Sequence, residues 1–196
     1  MNHRFTGAIA GVGSTSGTRL VVGRWDQSPF GAFADVMVAE PDGTRVLLAP
    51  DDEVAAFVSE TYCFDRVETG PVEVTRDWRV TAPGLDLRIE VGARATLGRL
   101  LRSVPTRMAT APGWTWLTDP VARVVLSGVR TRGTAGNGRR EYYGATDLHR
   151  ITALSGTWCG ADLGALAPVE PEPGFGFGST PRAPSVTSVV TTVVLT

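Results

Sequence analysis

The sequence predicts a mainly β protein with few short helices, folded as a cone-shaped or closed antiparallel β-barrel. Three observations carry this. Short β-branched and apolar runs recur along the chain, clusters of Pro, Gly and Asp separate them, and only two stretches show helical spacing. Closure is expected because an open sheet of many strands leaves edges to be managed. With 196 residues, the chain falls in the range of one domain, 1–196.

Thr18–Trp25, Phe33–Glu40 and Thr44–Ala49 read as strands, and Pro41-Asp42-Gly43 makes the last two a hairpin. Pro50-Asp51-Asp52-Glu53 offers an N-cap and an acidic first turn, so Val54 to Val58 begin a short helix ending near Tyr62. Strands resume over Pro71–Ala82 and Leu85–Val91, separated by Pro83-Gly84. In the second, Leu85, Leu87, Ile89 and Val91 alternate with Asp86, Arg88 and Glu90, as in a half-buried strand. Leu97, Leu100 and Leu101 set a second helix within Ala95–Val104, closed by Pro105. Val121–Val129, Arg139–Leu154 and Ser185–Leu195 complete the strands. The Pro- and Gly-rich stretch 165–184 is a long loop placed to act as a cover.

Composition excludes more than it selects. All nineteen basic residues are arginine, so no side chain can form a Schiff base, serve as an amine base or act as a phosphate-loop lysine. Scarce Asn, Gln and Ile beside abundant Ala, Arg, Gly and Val point to a GC-rich coding bias as the cause. A net charge of −1 with dispersed arginines argues against nucleic acid and anionic membranes as partners. Met1 to Gly11 lacks the apolar run of a secretory signal, and Val186 to Leu195 is too short for a membrane helix, which needs ~20 apolar residues. Cys63 and Cys159 read as buried thiols in a reducing compartment, and the expected location is cytoplasmic. Exposed strands such as 185–195 could pair between copies into a homo-oligomer.

Local motifs are weak. Gly11 to Arg19 lacks the lysine and glycine spacing of a phosphate loop and reads as flexible, and His3 falls on a frayed terminus. Two histidines, His3 and His149, give no metal-ligand pattern, so no metal or cofactor is expected. Asp147 and His149, two apart in a strand, share a face, where the histidine is either an oriented base or a structural partner of the carboxylate. Trp114 and Trp116 share a face if extended, and either wall a ligand cavity or fill a core.

Two segments carry a resemblance. Asp26-Gln27-Ser28-Pro29-Phe30-Gly31-Ala32-Phe33-Ala34-Asp35 resembles the D-x-[ST]-x-x-G-x-[YF]-x-E motif of the acetoacetate decarboxylase superfamily. Glu60-Thr61-Tyr62-Cys63-Phe64-Asp65-Arg66 resembles its E-x-x-x-[YF]-P-K segment. The likeness covers residues 18–70. It implies a cone-shaped barrel with an enclosed apolar cavity, where the family's lysine forms a Schiff base with a β-keto acid. The reactive lysine falls on Arg66, its proline on Asp65, a cavity glutamate on Asp35 and a further glutamate near Leu20. A guanidinium stays protonated and is no nucleophile, so Schiff-base decarboxylation is excluded. Arg66 can still clamp a carboxylate or enolate, or pair structurally with Asp65, Asp35 or Glu68.

The resulting expectation is an acetoacetate decarboxylase-like protein binding a small carboxylate or oxo-acid. Arg66 is the anchor, and Phe33, Tyr62, Phe64, Trp114 and Trp116 line the site. In an enzymatic version Asp35, Glu60 or His149 carries the proton for a lyase or isomerase-like reaction. The remaining alternative is an apolar-ligand-binding or structural barrel.

Overall fold

The computed structural model describes residues 2–103, 132–134, 140–176 and 180–194. The strands are β1 (Asn2–Ser14), β2 (Arg19–Gln27), β3 (Phe33–Ala39), β4 (Arg45–Ala49), β5 (Arg66–Thr69), β6 (Glu73–Val74), β7 (Arg79–Ala82), β8 (Leu85–Arg94), β9 (Arg132–Thr134), β10 (Arg140–Trp158), β11 (Ala161–Asp162), β12 (Leu166–Ala167) and β13 (Ser185–Val194). The helices are α1 (Asp52–Ser59) and α2 (Thr96–Ser103). All strands join one sheet in the order β5-β4-β3-β2-β1-β13-β10-β8-β7-β6, with β9 and β11 against β10 and β12 against β1.

The sheet is a curled half-barrel. Its concave face packs Leu20, Val22, Val36 and Val38 from β2 and β3 against Leu87 and Ile89 from β8. Each such side chain contributes about 1.5–3 kcal/mol when fully buried. Curling brings the β6–β7 end over β2, where the Arg24 guanidinium lies 4.8 Å from the Trp78 ring centre and Nη1 donates to the Thr75 carbonyl. Trp78 has φ 61°, a left-handed conformation uncommon for a bulky residue, and its buried ring is held by that contact.

Closure is not found among the described residues: β5 and β6 end the path. β6 has two residues, and β5 turns Arg66 and Glu68 to the side of its partners Val46 and Leu48, so charge ends the apolar face there. β4 and β5 run parallel, because α1 carries the chain back between them.

Helix α1 starts where expected. Asp51 accepts the Val54 N–H at 2.9 Å. It lays Val54, Ala55 and Val58 on Leu47 and Ala49 of the convex face. Helix α2 packs on β10. A Cβ on Gly98 would collide with the Leu148 backbone, whose carbonyl accepts the Ala95 N–H. Among the described residues, no helix is long and apolar enough to cross a membrane.

Several expectations are corrected. β1 occupies the centre of the sheet, replacing the frayed start at His3 and most of the flexible loop from Gly11; only Thr15 to Thr18 turns. Pro71–Ala82 is two strands, β6 and β7, around a turn from Thr75 to Trp78. Cys63 and Cys159 are exposed free thiols, since the Cys159 turn at φ 49° presents its side chain outward. The expected strand Val121–Val129 lies outside the described residues.

Candidate functional site

The expected site residues separate into distinct places. Phe33 and Asp35 alternate on β3 toward the convex face. There Phe30, Phe33, Phe57, Tyr62 and Phe64 pack beside α1. Opposite Asp35 stands Gly23, and a side chain on Gly23 would occupy the space of the Asp35 carboxylate and the Trp25 indole. The vacated space admits a 2.8 Å bond from Trp25 Nε1 to Asp35 Oδ1. Burial raises the Asp35 carboxyl to about 6 from its ordinary 3.8, the Trp25 bond opposing. Phe5 of β1 packs into this layer, 5.3 Å from Phe57 and 5.7 Å from Trp25 between ring centres. Tyr62 joins the Tyr143 hydroxyl of β10 by a hydrogen bond, and Phe64 packs on Phe175. Glu60, the C-cap of α1, is exposed.

Arg66 does not meet Asp35, which corrects the expected pairing of these two residues in one cavity. It lies across from Val46 of the concave core, whereas Asp35 faces the convex side. Its side chain is 45% exposed, with Nε 2.8 Å from Glu68 and Nη2 3.5 Å from Glu40. Glu40 also accepts the Trp158 indole N–H at 2.8 Å. Asp65 is engaged elsewhere: Arg45 grips it through Nε and Nη2 and holds its carboxyl down at about 2. Trp114 and Trp116 lie outside the described residues.

His149 belongs to a third place. It pairs in register with Arg94 of β8 and with Val186 of β13, and Val186 fixes the concave side. Arg94 Nε donates to both Asp147 oxygens at 2.8 and 3.0 Å, and the Leu148 N–H donates to Oδ1. Burial opposes ionisation of Asp147, but these bonds and the charges of Arg94 and His149 outweigh it and leave the carboxyl below its ordinary range. His149 Nδ1 lies 3.2 Å from the Gly92 carbonyl, and Nε2 lies 3.6 Å from Asp147 Oδ2. A carbonyl only accepts, so neutral His149 carries its proton on Nδ1 and leaves the Nε2 lone pair available. Neither Arg94 Nη group has a hydrogen-bond partner among the described residues.

No family model, curated protein or solved structure matches the chain. The sites therefore stand on their geometry. Among the described residues, no group of three or more His, Cys, Asp or Glu could hold a metal ion. The Asp147–His149 pairing was legible as a two-residue spacing in a strand. Arg94 was missed, because its place opposite His149 depends on a bulged register between β8 and β10 that no local pattern announces.

Proposed function

We propose that the concave face binds a small carboxylate or oxo-acid, with Arg94 as the anchor and no Schiff-base step. The carrying observation is the Arg94 guanidinium, fixed through Nε by Asp147 while both Nη groups remain without partners among the described residues. Two N–H groups side by side match the oxygens of a carboxylate, or one carboxylate oxygen and the neighbouring keto oxygen. The Arg94 and His149 side chains are each 33% exposed, so the group is reachable yet partly desolvated. Across the sheet from Asp147 stand Ser188 and then Ala8, both small residues.

The proposal keeps an acetoacetate decarboxylase-like ancestry. The two similar segments end on β3 and begin β5, and their Phe33 and Phe64 pack in one cluster. Arg66 takes the lysine's place in the resemblance, yet its carboxylate partners favour a structural role. Differential scanning fluorimetry with pyruvate and acetoacetate tests the reading. Ligand at a hundredfold excess over Kd stabilises by about 2.7 kcal/mol, or roughly 5–10 °C for a domain of this size. Arg94→Gln, which retains an N–H for Asp147, should abolish the shift and Arg66→Gln should preserve it. Equal responses in both variants would refute the assignment.

A further inference from the structure

Resting on the carboxylate reading above, we infer that the Arg94–His149 pair is catalytic and enolises short 2-oxo acids. The arrangement supplies both requirements of proton abstraction next to a carbonyl: a base with an available lone pair, and N–H donors for the oxygen that gains charge. His149 Nε2 is the base, because the Gly92 carbonyl holds the proton on Nδ1. The 3.6 Å gap to Asp147 is too long for a hydrogen bond to occupy Nε2, but close enough for that carboxylate to stabilise the imidazolium that forms. Arg94 keeps Asp147 ionised and in place through Nε, which leaves its two Nη groups to hold the substrate oxygens. Asp147 is thus a positioning residue, while His149 and Arg94 touch the substrate.

The step balances without an oxidant or cofactor. The C3–H bond breaks, its proton goes to Nε2, its electron pair becomes the C2=C3 bond, and the carbonyl π pair moves onto the keto oxygen held by Arg94. Return of a proton from Nε2 to C3 restores the oxo-acid, and return to oxygen releases the enol. Partial exposure of His149 lets the captured proton exchange with solvent before it returns.

Exchange therefore reads the step directly. Pyruvate in D2O, in a buffer of low general-base strength, should lose its methyl proton signal by NMR faster with the protein than without it. His149→Asn keeps a side-chain N–H for Gly92 but removes the base. It should cut the protein-dependent rate by about 10²–10⁴-fold while keeping the pyruvate-induced melting shift. Pyruvate binding by the wild-type protein without accelerated exchange would overturn enolisation and leave the binding reading standing. Wild-type exchange rates in His149→Asn would overturn the role of His149. Absence of any pyruvate shift in the wild-type protein would overturn both.

Discussion

Asp35 ties one carboxyl to the stability of the convex layer. Its folded value of about 6 lies above the ordinary 3.8, so between these pH values the native state binds the proton that the unfolded chain has released. Stability then falls as pH rises through this window, and above it the buried charge costs roughly 3 kcal/mol, at 1.36 kcal/mol per unit. Asparagine keeps an oxygen for Trp25 and carries no charge. Asp35→Asn should melt like the parent at pH 4 and clearly higher at pH 8, by calorimetry at both values. Equal melting at pH 8 would mean that Asp35 is not desolvated as the structure has it. At this scale the sequence pointed to Asp35 and His149 as chemically interesting, because a carboxylate and an imidazole are visible as types. It chose Arg66 through the resemblance and did not raise Arg94, because only strand pairing shows that Glu68 and Glu40 engage the first while the second keeps two N–H groups without partners among the described residues.

Elements were legible where side chains differ strongly in polarity. The Leu85, Leu87, Ile89 alternation appears as the buried row of β8, and Asp51 caps α1 as its side chain predicts. β1 was missed because its residues are small: Ala8, Ala10 and Val12 face the core, while Gly7, Gly11 and Gly13 face the other way. Those glycines look like loop residues, yet they let other chain segments approach the sheet. The backbone of Pro168 occupies the place of a Gly13 side chain, and Thr180 occupies that of Gly11. Pro168 and Thr180 thus lie against the convex side of β1. The loop from 163 onward is anchored where Thr15 donates its backbone N–H to Ala165 and Val169 donates to Arg182. Gly13→Ala must push this loop away, and should cost about 1–3 kcal/mol in urea denaturation and speed proteolysis between 165 and 184. Unchanged stability and cleavage would show that the loop does not depend on this contact.

The curl of the whole sheet was foreseen as closure, since the number of strands implied edges to be hidden. Its actual form depends on long-range pairings invisible to any local window. One is the meeting of Trp158, at the end of β10, with Glu40 after β3 and Arg66 on β5. Trp158 is 7% exposed and its indole N–H needs an acceptor, which Glu40 supplies from just beyond β3, a strand far from β10 in the sheet order. Glu40→Ala leaves that donor buried and unpaired and leaves Arg66 with Glu68, so a loss of about 1–3 kcal/mol is expected. Trp158→Phe removes the donor as well as the bond. If the contact holds the curl, Glu40→Ala should then cost less in the Trp158→Phe background, with a coupling of about 0.5–3 kcal/mol by urea denaturation. Additive losses would mean that the two residues are independent, and that apolar packing across the concave face curls the sheet without this polar link.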